Sequence, residues 1–268
     1  RAAFHAEDEA RLKARLSHRR EGDPSSHSEW RDPQAALMAT TRLLRMAAAA
    51  GKRVHVLHVS TAEEMDLLAR HKDIASVEVT PQHLTLAAPE AYKALGTLAQ
   101  MNPPLRDRAH QEHLWWGLRE GVVDVLGSDH APHTLEEKAK SYPVTPSGMP
   151  GVQTLVPVML DHVNEGRLSL ARFVDLTSAG PQRLFGIAGK GRIAVGYDAD
   201  LTIVDLKAKR VIDNAWIGSK CGWTPFAGRK VKGFPVGTVV RGRRVMWEGE
   251  LGEPGGKPVR FGEALPKS

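Results

Sequence analysis

Three polar residues stand where short apolar runs stop. His5 follows Ala-Ala-Phe, His58 follows Val-Leu, and Asp129 follows Val-Leu-Gly-Ser. Two neutral imidazoles and a carboxylate, supplied by separate rigid elements, form the donor set of a hydrolytic metal centre. By spacing alone the three serve equally well as unrelated polar caps. His130 and His133 form a further pair, three residues apart in Ser-Asp-His-Ala-Pro-His. Pro132 bars a helix between them, so a turn that aims His133 is expected. Asn102 opens Asn-Pro-Pro-Leu-Arg, where two prolines stiffen an extended segment. That rigidity suits an aimed side chain and suits a plain loop. Ser147 and Gly148 open a loop, Ser-Gly-Met-Pro-Gly, whose bare backbone could approach a ligand. The remaining chemistry-bearing residues read as ordinary. His18, His27, His71, His110, His113 and His162 lie in loops or on helices as solvent-facing or structural residues, and Glu136 and Glu137 favour a helix N-terminus.

Strands and helices must alternate to place such residues. Residues 6–16 have helical periodicity, 18–33 read as a polar loop, and 33–50 are Ala/Leu/Met-rich and helical, with Gly51 as the terminating glycine. Residues 53–59 form a β run, and Ser60 or Thr61 can cap the helix that follows. A short strand is expected over 76–80, a helix over 107–120, a strand over 122–126, and helices over 151–164 and 169–179. This order predicts parallel βα units, with the polar residues at the C-terminal strand ends, where (β/α)8 enzymes put their chemistry. From about residue 189 the pattern turns to short β runs. A hairpin is expected over 191–205 with Gly196 and Asp198 at its turn, then strands over 209–212, 236–241 and 244–247.

Composition narrows the function classes. The chain has 268 residues and 41% hydrophobic residues, enough for a sizeable core. The single Cys221 excludes an internal disulfide framework and a Cys-rich zinc module. No apolar run reaches the 18 residues of a membrane span. The net charge of +6 is spread over small clusters such as Arg241–Arg244 rather than a basic stripe interleaved with aromatics, so a solvated basic surface is expected and not a nucleic-acid site. Without a signal pattern or disulfides, a cytoplasmic location is expected.

Read in order, His-Ala-Glu-Asp at 5–8, Leu-His-Val-Ser-Thr at 57–61, Glu-Val-Thr-Pro-Gln-His-Leu at 78–84, Asn-Pro-Pro-Leu-Arg at 102–106 and Ser-Asp-His-Ala-Pro-His-Thr-Leu-Glu-Glu-Lys at 128–138 closely resemble the dihydroorotases of the amidohydrolase superfamily. The resemblance covers essentially the whole chain, including Trp-Thr-Pro-Phe-Ala-Gly at 223–228. It implies an α/β fold: strands five to eight of a metal-dependent (β/α)8 barrel over 1–188, then a small β-sandwich-like segment over 189–268. His5 and His58 would be histidine ligands at the ends of strands five and six. Asp129, at the end of strand eight, would be both ligand and general acid/base. Asn102 and His133 would bind substrate, and the backbone at Ser147 and Gly148 would meet its ring. Two zinc ions per complete site are implied. So is the reversible hydrolysis of dihydroorotate to N-carbamoyl-L-aspartate in the biosynthesis of UMP.

The family's His-x-His pair is absent from this sequence, as are its bridging Asp or carboxylated Lys and its carboxylate-binding Arg; Gln82 stands where His is frequent. The expectation is a chain that starts at strand five, incomplete and inactive by itself, whose partners are the N-terminal half of the barrel, a second copy in a homodimer and aspartate carbamoyltransferase. The alternatives are an inactive scaffold of the carbamoyltransferase, or a hydantoinase- or allantoinase-type cyclic amidohydrolase.

Overall fold

The computed structural model describes residues 1–262; the end of the segment expected over 189–268 lies outside the described residues. Two compact units form. One comprises Arg1–Leu155 with Asp213–Ala227, the other Val156–Ile212 with the described residues from Gly228 onward.

The first unit is built on four parallel strands, β1 (Ala2–Phe4), β2 (Val54–Val56), β3 (Ala75–Val79) and β4 (Val125–Leu126), laid side by side in chain order. Between β1 and β2 run α1 (Glu9–Ala14), α2 (Ser26–Trp30) and α3 (Pro33–Ala49). Helix α4 (Ala62–Ala69) joins β2 to β3. Helices α5 (Pro81–Thr85), α6 (Glu90–Leu95) and α7 (Arg108–Arg119) join β3 to β4, and α8 (Leu135–Lys138) follows β4. Strands β2, β3 and β4 are Val-containing runs buried among helices, as parallel strands require, with Val54, Val56, Val77, Val79 and Val125 all buried, whereas β1 is exposed.

Side-chain caps set where the helices begin. Asp8, Asp32, Thr61, Thr80, Asp107 and Thr134 each accept a backbone N–H of the following helix. Pro33 and Pro81 sit in first turns, where a missing N–H costs nothing. Because Asp8 is the cap, α1 starts later than the helix expected over 6–16, which leaves Glu7 free to turn toward the strand ends. The polar loop expected over 18–33 contains α2. Its serines and Arg31 conceal a turn that buries Ser26 and His27.

In the second unit α9 (Leu155–Asn164), α10 (Leu170–Val174) and α11 (Gly180–Phe185) accompany an antiparallel sheet of β5 (Leu201–Val211), β6 (Lys230–Val240), β7 (Arg243–Trp247) and β8 (Glu250–Leu251). The helix expected over 169–179 breaks at Asp175 into a π-helical turn. The hairpin expected over 191–205 does not form. Ile193 and Val195 are fully solvent-exposed and gain nothing from pairing, while Asp198 and Asp200 are drawn to Lys190 and Arg241. The pairing falls instead between β5 and β6, with a register shift between Asp205 and Lys209, so the expected strand over 209–212 is the far end of β5. The segment expected to be sandwich-like forms one four-stranded sheet among the described residues. At Gly233 (φ +96°) a Cβ would come 2.8 Å from Leu160 Cβ, so glycine lets β6 lie directly on α9.

Candidate active site

Register brings the strand ends level. Phe4 pairs with Val56, Val56 with Val77, and Val79 with Leu126. Beyond these pairs Leu57 N–H donates to Phe4 O, Val59 N–H to Glu78 O and Gly127 N–H to Val79 O. The residues that follow, His5, His58 and Asp129, therefore emerge from one end of the sheet. His58 and Asp129 both adopt left-handed backbone conformations, φ +36° and +40°. A non-glycine residue in this region costs on the order of 1–3 kcal/mol, and such costs concentrate at sites where a side chain must be aimed.

His5 Nδ1 lies 3.1 Å from His58 Nε2, with the rings edge-to-face. The other nitrogen of His5, Nε2, is 3.0 Å from the Glu7 carboxylate. Glu7 is itself buried and clasped by Arg31 through Nε and Nη2. Burial would raise the Glu7 carboxyl, but hydrogen bonds from His5 and Arg31 outweigh it and hold it down to about 2. His58 is buried and its Nδ1 has no hydrogen-bond partner. Burial lowers the His58 pKa, partly offset by the charge of Asp129. Burial raises the Asp129 carboxyl against the opposing pull of His58, with Glu78 raising it further. Glu78 looks into the same end of the sheet. It accepts the backbone N–H of His58 and lies 3.5 Å from His55 Nε2.

A second cluster gathers the remaining expected residues. Asn102 Oδ1 is 2.8 Å from His27 Nε2. The Ser147 hydroxyl accepts from Gln100 Nε2, and Gly148 N–H donates to Gln100 O. Gly148 (φ +138°) packs so closely that a Cβ would be 2.5 Å from Ala131 O and 3.3 Å from the His133 ring. His133 pairs with Glu137, and its carbonyl accepts the indole N–H of Trp223. Beneath these loops Lys138 is buried and donates to Gln100 O, Pro146 O and Gly148 O, with burial lowering its pKa to about 8. His130 is spent on the scaffold: its Nδ1 accepts the N–H groups of Gly151 and Val152. Gln82, fully buried, donates to Ser128 O, one residue before Asp129.

Glu7, His27, Glu78 and Lys138 were not singled out by the sequence reading. Glu78 carried a usable signal, an acid inside the apolar run Val-Glu-Val that ends at the same level as His58. Glu7 and His27 had no signal beyond lying in polar stretches.

The His5–His58 geometry fits a metal ion. Two imidazole nitrogens about 2.0–2.1 Å from a tetrahedral zinc stand about 3.3 Å apart, close to the distance found here. A carboxylate on the far nitrogen of a ligating imidazole, as Glu7 is placed on His5, raises its basicity and fixes its orientation. Among the described residues no group of three or more His, Cys, Asp and Glu side chains is drawn close enough to hold a metal by itself.

Comparison with known proteins agrees with this architecture. The amidohydrolase family matches residues 3–245. The chain is 42% identical over 246 residues to the dihydroorotase of Halobacterium salinarum, covering 92% of this chain and 57% of that protein. It is 37% identical over 240 residues to the dihydroorotase of Methanothermobacter thermautotrophicus, covering 88% and 54%. The L-hydantoinase of Arthrobacter aurescens superposes with a TM-score of 0.89 at 33% identity, over 93% of this chain and 57% of that one. The chain thus spans little more than half the length of the relatives it matches. A parallel α/β sheet with histidine and aspartate at its C-terminal edge, matched over most of its length, places this chain in the amidohydrolase family.

Proposed function

We propose that the chain contributes to a dihydroorotase: addition of water across the cyclic amide of dihydroorotate, giving N-carbamoyl-L-aspartate, and the reverse closure. The observation that carries this reading is the His5 Nδ1–His58 Nε2 approach of 3.1 Å at the strand ends, backed by Glu7. In this reading β1–β4 are strands five to eight of a (β/α)8 barrel that spans 1–188, and the segment from 189 onward belongs to a small β domain.

His5 and His58 would hold zinc through Nδ1 and Nε2, with Asp129 as the carboxylate ligand. Bound there, the metal would polarise the amide carbonyl and make hydroxide available at neutral pH. Asp129, its carboxyl raised by burial, takes the proton of the attacking water and delivers it to the ring nitrogen as the C–N bond breaks. The carbonyl carbon gains the hydroxyl and the nitrogen gains the proton, so the ring opens without other reactants. Asn102 and His133 orient the substrate's carboxylate, while the rigid loop at Ser147 and Gly148 lies along the ring.

A hydantoinase-type activity is the second reading, favoured by the likeness to L-hydantoinase at a TM-score of 0.89. Comparing kcat/KM for dihydroorotate and dihydrouracil in the whole zinc-loaded protein separates the two. The dihydroorotase reading expects a preference for dihydroorotate well above tenfold that His133→Ala largely removes, because dihydrouracil lacks the carboxylate that His133 and Asn102 would meet. Comparable rates on both substrates would overturn it in favour of the second reading.

A further inference from the structure

His27 was expected to be an ordinary loop histidine, yet it is buried to 1% exposure and its ring faces Asn102. Its two nitrogens have different neighbours. Nε2 lies 3.2 Å from the backbone carbonyl of Met101 and 2.8 Å from Asn102 Oδ1. A backbone carbonyl can only accept, so Nε2 must carry the proton. Nδ1 faces the Tyr142 hydroxyl at 3.4 Å, a group able to donate to it. Trp30 and Tyr142 pack edge-on against the ring, each at a centroid distance of 5.7 Å, and hold its plane.

With Nε2–H fixed as donor, only one orientation of the Asn102 carboxamide is compatible. Its oxygen must point to His27, because the opposite flip would set N–H against N–H. The Asn102 NH2 group is then turned away from His27 with two donors to offer and no acceptor among the described residues. We propose that His27 is a positioning residue that locks the Asn102 carboxamide with its NH2 outward, so that Asn102 selects an oxygen acceptor, the carboxylate of an anionic substrate, and rejects an N–H edge. Burial keeps His27 neutral by lowering its pKa to about 4, which preserves Nδ1 as an acceptor for Tyr142 at neutral pH. The part of this inference that names a carboxylate substrate rests on the dihydroorotase reading; the lock itself does not.

The test is 15N NMR on the chain with labelled histidine and asparagine. His27 is expected to be neutral and protonated on Nε2 at pH 7. The Asn102 side-chain amide should shift and broaden in His27→Phe and stay near its parent position in His27→Gln, which restores a donor. An Nδ1-protonated or charged His27 at pH 7, or an Asn102 amide indifferent to His27→Phe, overturns the proposal. Should His27→Phe fail to fold, the tautomer in the parent decides alone. Adding dihydroorotate or dihydrouracil to the whole zinc-loaded protein distinguishes the layers. A shift of the Asn102 NH2 with dihydroorotate alone supports both lock and substrate class. Equal shifts with both ligands overturn the carboxylate selectivity. No shift with either, with Nε2 protonated, counts against the dihydroorotase reading while the tautomer still supports the lock.

Discussion

His5 Nδ1 and His58 Nε2 face each other at 3.1 Å although the two residues come from different strands and are separated by 53 positions. Without a cation, one ring must donate to the other. With one, both lone pairs point at the same ion. Zinc binding is therefore expected to be measurable in this chain but weak, because two imidazoles face each other while, among the described residues, no group of three or more His, Cys, Asp and Glu side chains is drawn close enough to hold a metal. Metal analysis after gel filtration should find well under one zinc per chain, titration calorimetry should show binding when zinc is supplied, and His58→Ala should abolish it. Two tightly held zinc ions per isolated chain would contradict this arrangement.

Asp129→Asn should leave folding intact and remove turnover in the whole protein. The amide keeps the size of the side chain but cannot take up and return a proton, a role worth ~10²–10⁴ in rate. Steady-state kinetics beside a thermal melt checks both halves, and a variant within a few-fold of the parent would remove Asp129 from the reaction.

Acid should destabilise the first unit before its carboxylates are protonated. Burial lowers His27 to about 4 and His83 to about 3, both below the ordinary 6.5. Their folded-state pKa values are depressed, so the unfolded chain takes up protons first. The stability these two histidines contribute is full above pH 6.5 and is lost as pH drops toward 4, with His27 accounting for on the order of 3 kcal/mol. Glu7, held at about 2, adds its loss only below 4.5. Urea midpoints at pH 7, 5 and 4 should decline steadily, and His27→Gln should flatten part of that decline.

Gly151→Ala should destabilise the protein by roughly 1–3 kcal/mol, as overpacking does. A Cβ there would meet Ser128 O at 2.3 Å and Gln82 Nε2 at 2.4 Å, and Ser128 is backbone that cannot yield without moving Asp129. Chemical denaturation gives the stability change, and the Asp129 backbone amide shift reports the displacement.

The residues legible in the sequence were those whose position relative to an apolar run carries the information. His58 and Asp129 end Val-rich runs, and a strand end is visible in one dimension. Gln82, which stands where His is frequent in the resembled family, donates to Ser128 O. Glu7, His27 and Lys138 were illegible because their partners are distant in sequence and because polar residues in loops look solvated until the loop folds over them. Lys138 is the clearest case: its three acceptors are backbone carbonyls, which carry no side-chain signature. The missing hairpin over 191–205 failed for the opposite reason, since alternating apolar residues marked a strand that has no face to bury.

The indole of Trp223 holds the carbonyl of His133 across 90 residues, and the segment 213–227 rejoins the first unit only after the chain has passed through the second. During synthesis the His133 loop therefore lacks its anchor until Trp223 has left the ribosome, long after all four parallel strands have emerged. The order of translation thus separates the emergence of the four strands from the anchoring of the His133 loop.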